Sequence, residues 1–93
     1  MPPVTLDHAT LTVRLGARTA RLNRREFAVL EALAAARGAT VGHRELLAIW
    51  GPNADLPNLR MAIRSLRRKL EIDSELPALI VTEPGTGYRL ADG

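Results

Sequence analysis

Apolar and polar residues alternate along the first part of the chain and then change period. Leu11, Val13 and Leu15 point one way while Thr10, Thr12 and Arg14 point the other, the two-residue period of a half-buried strand. Gly16-Ala17 leads into Thr19 to Leu22, where Ala20 and Leu22 alternate again. An N-terminal β-hairpin or small antiparallel sheet is therefore predicted.

From Asn23 the spacing becomes three and four. Asn23 offers an N-cap, and Glu26 stands three residues on, where its carboxylate can reach back to the free cap amide. Phe27, Leu30, Leu33 and Ala34 form the apolar stripe of a first helix, and Gly38, past Arg37, supplies its stop. Ala39-Thr40-Val41 reads as a short extended link. Gly42 then caps a second helix, His43 to Trp50, with Glu45 in its first turn and Leu46, Leu47 and Trp50 on its buried side. Gly51-Pro52-Asn53 ends it. A third helix is predicted from Pro57, in its first turn, to Glu71, with Leu59, Ile63, Leu66 and Leu70 as its core stripe. Leu79 to Thr82 and Gly87 to Leu90, separated by Glu83-Pro84-Gly85-Thr86, read as a C-terminal hairpin.

This order predicts an α+β fold: a winged helix-turn-helix with an N-terminal antiparallel β-sheet, three helices and a C-terminal β-hairpin wing. The sheet is expected over residues 4–22, the helical core over 23–71 and the wing over 79–90. No repeat or low-complexity tract divides the 93 residues, so a single domain with one core is expected. The longest apolar runs, Ala32 to Ala36 and Leu46 to Trp50, are far shorter than the roughly twenty residues a spanning helix needs. The first four residues carry neither a basic leader nor a long apolar stretch, so no secretory signal is expected. There is no cysteine, which excludes disulfides and thiolate metal sites and makes a cytoplasmic location the default expectation.

Charge changes the picture through its placement. The net charge is only +3, and 12 of the 13 basic residues are Arg, whose planar fork suits phosphates and guanine edges; the codon bias of a GC-rich genome would give the same excess. Five of the 13 lie between Arg60 and Lys69 with no acid among them. On a helix at about 100° per residue, Arg60, Arg64, Arg67 and Arg68 gather on one face, away from the apolar stripe, with Arg64 and Arg67 near its centre and Arg68 toward one rim. A helix of this length can enter the major groove side-on, although many such faces are merely solvated. A helix, a lengthened turn, a basic helix and a hairpin together describe a winged DNA-binding helix-turn-helix; a winged-helix protein-interaction module is the alternative.

Other chemistry finds little support. His8 and His43 are far apart and without companion ligands, and the acids form no close pair in an apolar setting. No Ser or Thr stands beside a credible base, and no Walker-type or dinucleotide-binding loop is present. Neither an enzyme, a cofactor nor a metal site is expected. Trp50 reads as core, while Tyr88 reads either as packing or as a phosphate contact through its hydroxyl.

Four motifs in order carry a resemblance. Leu22-Asn23-Arg24-Arg25-Glu26-Phe27, Arg44-Glu45-Leu46-Leu47 to Trp50-Gly51, Ser65-Leu66-Arg67-Arg68-Lys69-Leu70-Glu71, and Thr82-Glu83-Pro84-Gly85-Thr86-Gly87-Tyr88-Arg89-Leu90 resemble the OmpR/PhoB-type effector domain of bacterial two-component response regulators. The likeness spans residues 10–91. Trp50-Gly51-Pro52-Asn53, Leu59-Arg60 and Thr82-Glu83-Pro84-Gly85 are most similar to the KdpE-like regulators of potassium transport. Stand-alone antibiotic-regulatory activators resemble the chain less. The resemblance implies a four-stranded N-terminal sheet and a role in transcription regulation. It further implies that the third helix recognises double-stranded DNA, at tandem direct-repeat half-sites, and that the wing tip enters the minor groove. By position, Arg64 and Arg67 match the family's groove or phosphate contacts, and Thr82 and Tyr88 match its phosphate contacts; Arg60, Ser65 and Arg68 on the third helix and Arg89 on the hairpin complete the expected DNA-binding set. The loop Gly51, Pro52, Asn53, Ala54, Asp55 and Leu56 would meet RNA polymerase, and a receiver domain would complete the full-length protein. Ser65 stands where many relatives carry Arg, Pro57 where some carry one at the start of the helix, and Pro84 where the phosphate regulators place a wing Arg.

Overall fold

A computed structural model describes residues 4–73 and 78–91. Strands β1 (Val4–Asp7), β2 (Thr12–Leu15) and β3 (Arg18–Arg21) pair antiparallel in that order. The register sets Val13 opposite both Leu6 and Ala20, so the apolar positions share one face while Arg14 stays exposed on the other. Among the described residues this sheet has three strands rather than the four that the resemblance implies. The next extended segment, β4 (Val41–Gly42), pairs with the C-terminal hairpin instead.

Helix α1 (Arg24–Ala35) begins at the expected capping box. The Asn23 side chain accepts from the Glu26 amide at 2.8 Å and the Glu26 carboxylate accepts from the Asn23 amide at 2.9 Å. Its exit runs through Arg37 and Gly38, at φ 50° and 91°, left-handed geometry that glycine tolerates best. Helix α2 (His43–Trp50) has the expected bounds, but Gly42 has no side chain to cap it; the Glu45 carboxylate accepts from the Gly42 amide at 3.4 Å. Of the three residues expected on its buried side, only Leu46 is fully buried. Leu47 and Trp50 pack against the margin of the core. Trp50 stays at the edge because its indole N–H needs a polar partner, which it finds in the Arg25 carbonyl at 3.2 Å.

Helix α3 (Leu56–Leu70) starts one residue earlier than expected, because Asp55 is its N-cap and accepts from the Asn58 amide at 2.9 Å. Leu56 thus belongs to the helix, and the loop before it is Gly51 to Asp55. Leu59, Ala62, Ile63, Leu66 and Leu70 are buried. Full burial of such a side chain contributes about 1.5 to 3 kcal/mol. That stripe fixes which face of α3 turns inward, and so which face turns out.

Glu71 lies just beyond the helix, and its buried carboxylate accepts from the amides of Ala78, Leu79 and Ile80 at 2.8 to 3.0 Å. It thereby fixes where the wing departs. Strands β5 (Ile80–Glu83) and β6 (Gly87–Leu90) form the wing, with β6 central between β4 and β5. At its tip the Thr86 amide donates to the Glu83 carbonyl at 3.0 Å, with Pro84 and Gly85 between them and Gly85 at φ 73°, the pattern of a type II turn. A Cβ at Gly87 would come within 1.9 Å of the Val41 carbonyl oxygen, so only glycine lets β4 and β6 pair here.

Candidate nucleic-acid interface

The inward stripe of α3 leaves Pro57, Arg60, Met61, Arg64 and Arg68 exposed on the opposite side. Arg60, Arg64 and Arg68 make no hydrogen bond or ion pair among the described residues. Three guanidiniums with all their donors free thus project from a helix of 15 residues, about 22 Å long. An acidic, acceptor-rich surface is their natural complement.

Arg67, Ser65 and Lys69 of α3 are engaged within the fold. Arg67, expected near the centre of the basic face, lies at its wing-side margin. Its Nε and Nη2 donate to the Ile80 carbonyl at 3.2 and 2.9 Å, Nη2 also reaches Thr82 Oγ1 at 2.8 Å, and the guanidinium sits 5.9 Å from the Tyr88 ring centroid. Arg68, expected at the rim, is fully outward. The difference is geometric: a stripe centred between Leu66 and Leu70 brings Arg67 within a turn's edge of the core and sends Arg68 about 100° further round.

Ser65 and Lys69 face α1. There the Ser65 hydroxyl donates to Glu26, and Lys69 Nζ lies 2.7 Å from the same carboxylate. Glu26 is only 2% exposed. Burial would raise its pKa, but the hydrogen bonds from Lys69, Ser65 and the Asn23 amide, with the Lys69 charge, outweigh that and hold it below the ordinary value. The sequence suggests Glu26 as a helix cap; it does not suggest that the same carboxylate joins α1 to α3.

On the wing, Thr82 is exposed and shares the Arg67 guanidinium. Tyr88 is buried, edge-on to His43 at 5.6 Å between centroids, so its ring is packing. Its hydroxyl makes no hydrogen bond among the described residues and reaches the surface, since no buried side-chain polar atom there lacks a partner. Arg89 is paired across the hairpin with Glu83 at 2.6 Å, which offsets its charge. In the loop before α3, Pro52, Asn53 and Asp55 are exposed, and the Ala54 amide closes a turn onto the Gly51 carbonyl at 3.2 Å.

Two further groups escape a reading of spacing alone. Arg18, on β3, donates to the Leu70 carbonyl at 3.3 Å and so caps the C-terminus of α3 from the N-terminal sheet. Arg44 is exposed at the start of α2, beside an open cleft that Gly85 and Thr86 of the wing tip also line. Among the described residues no helix is long and apolar enough to cross a membrane, and no group of three or more potential metal ligands comes together. His8 pairs with Glu31 at 2.7 Å, while His43 packs edge-on against Tyr88.

Comparison with known proteins gives a consistent result. Residues 17–90 match the family model described as "Transcriptional regulatory protein, C terminal". Over 88 residues the chain is 41% identical to the transcriptional regulatory protein KdpE of Mycobacterium tuberculosis, covering 91% of this chain and 39% of that protein. It is 42% identical over 94 residues to the response regulator MprA of Mycobacterium bovis, covering 96% and 40%. The chain therefore spans about two fifths of the length of these relatives. Among solved structures, the Klebsiella pneumoniae RstA DNA-binding domain in complex with the RstA box superposes with a TM-score of 0.78 at 27% identity, covering 96% of this chain and 91% of that one. The Thermotoga maritima response regulator DrrB, an OmpR/PhoB homologue, gives 0.82 at 28% identity, covering 100% and 43%.

Proposed function

Because this chain belongs to the family of transcriptional regulatory protein C-terminal domains, the OmpR/PhoB-type DNA-binding domains, we propose that it reads double-stranded DNA through the outward face of α3. One observation carries this reading: Arg60, Arg64 and Arg68 project from a single helix face with no partner among the described residues. Arg64, beside the middle of that face, is placed for a guanine edge, and Arg60 and Arg68 for bases or phosphates. The Tyr88 hydroxyl, Thr82 and the outer donors of Arg89 supply phosphate contacts from the wing. Arg67 and Ser65 contribute from behind, by holding the wing and α1 against the helix.

The wing itself adds little sequence information. Pro84 at its tip has no N–H to donate, and Arg89 is partly neutralised by Glu83. One helix face reads about half an operator, so tandem half-sites about one helical turn apart are the expected target. In the full-length protein a receiver domain would control that pairing, and the exposed residues Pro52, Asn53 and Asp55 would meet RNA polymerase. Control of potassium-transport genes is the finer reading, supported by the likeness to KdpE; the equal likeness to MprA leaves other regulons open.

The test is a set of binding isotherms, at several salt concentrations, on a duplex selected from random DNA. Strong salt dependence is expected, since each neutralised phosphate releases counterions, and two half-sites should bind much more tightly than one. A log K that barely moves with log salt would favour the protein-interaction module instead.

A further inference from the structure

The outward face of α3 is not uniformly basic. Pro57, Met61, Arg64 and Arg68 recur at spacings of four, three and four, which align them in one row along the helix. Met61 is 67% exposed in the middle of that row, with Arg60 beside it and Arg64 the next residue along. A long apolar side chain in that position has hydrophobic surface to lose and, among the described residues, nothing that covers it.

Major-groove base edges offer hydrogen-bond donors and acceptors and a single apolar group, the C5-methyl of thymine. If the neighbouring arginines meet the groove floor and its phosphates, Met61 enters between them, and only a thymine methyl is complementary to it. We propose that Met61 is a specificity-determining residue that reads a thymine through its methyl group. This inference rests on the DNA-binding role of α3 and adds the base that the apolar member of the row selects. The thioether chain is unbranched and adaptable, so it can follow the methyl without displacing Arg64. A protein partner seated on Met61 is the competing occupant, because the residue also borders a shallow pocket lined by Arg25, Trp50 and Asn58.

The experiment replaces each thymine of the selected duplex in turn with uracil, which lacks only the methyl, and measures affinity for the wild-type chain and for Met61→Ala. With wild type, substitution at one position per half-site should weaken binding about fourfold, the equivalent of one buried methyl-sized group. With Met61→Ala the same substitution should have almost no effect, and a second variant, Met61→Gln, should behave like Met61→Ala. Discrimination against scrambled DNA should fall in both variants while the salt slope stays that of wild type. The inference is overturned if no uracil position distinguishes wild type from Met61→Ala, or if the variant loses affinity equally on selected and scrambled DNA. Salt-dependent binding without a Met61-dependent thymine would sink this inference alone; failure to bind any duplex would remove the DNA-binding reading beneath it as well.

Discussion

The two sides of α3 use the same kinds of residue for opposite purposes. On the outward side Arg60, Arg64 and Arg68 have no partner among the described residues; on the flanks Arg67 and Lys69 are bound to Ile80, Thr82 and Glu26. Arg67 and Arg68 are adjacent in sequence and differ only by the rotation between neighbours on a helix. Charge alone does not make a binding residue. Having an unused donor does, and that depends on what the fold places within reach.

If the flanks are structural, the largest effect belongs to Glu26. Glu26→Ala removes the acceptor for the Asn23 amide, Ser65 and Lys69 together, and should lower unfolding free energy by about 2 to 4 kcal/mol in urea titration. Lys69 is partly exposed and can turn to water, which keeps the loss below that of a fully buried pair. A loss under about 0.5 kcal/mol, the range of an ordinary surface substitution, would show that the flank contacts do not hold the helices together.

The adjacent arginines provide the most direct way to break the comparison. Arg67→Ala should cost about 1 to 2 kcal/mol of stability through the wing's lost anchor and weaken selected and scrambled DNA by the same factor. Arg64→Ala should leave the melting temperature unchanged and remove about 1 to 3 kcal/mol of discrimination. Reversal of the two results, read by melting and by competition binding at matched salt, would mean that the free and bound arginines have been assigned the wrong way round.

A finer effect concerns the charges themselves. Loss of one phosphate contact, through Arg60→Ala or Arg68→Ala, should flatten the slope of log K against log salt by roughly one unit. Arg89→Ala should flatten it less, because Glu83 already offsets that charge. Equal slopes in all three variants would erase the distinction between paired and free guanidiniums.

The smallest effect is on acid stability. Glu26 titrates below its ordinary value of about 4.5 in the folded chain. Its contribution to stability is therefore complete above that value and is lost as pH falls through the lower folded pKa. Glu26→Gln should flatten this acid limb in unfolding measurements between pH 6 and the folded pKa; an unchanged limb would assign the acid sensitivity to other carboxylates.

Much of the fold was legible because its signals are local. The capping box at Asn23 and Glu26, the bounds of α2 and the apolar stripe of α3 all follow from residues within one or two turns. β4 was not, since two residues have no period and are strands only because β6 lies beside them. The site divides in the same way. Helical spacing finds Arg60, Arg64 and Arg68 on the outward side, where no distant contact among the described residues intervenes, whereas the exposure of Met61 emerges only from the structure. Arg67, Ser65 and Glu71 have partners 13, 39 and up to 9 residues away, and their roles are set by where β5 and α1 pass, which helical spacing does not show.

Helix α3 is fastened at each end and along both flanks: Asp55 caps its start, Arg18 reaches the Leu70 carbonyl, and Glu26 and Ile80 take the side chains between. The entropy lost in ordering this segment is thus incurred when the chain folds rather than when it meets a ligand. Contacts made by the outward face go into affinity undiluted by the ordering of its backbone, and the helix can present its side chains as a preformed die.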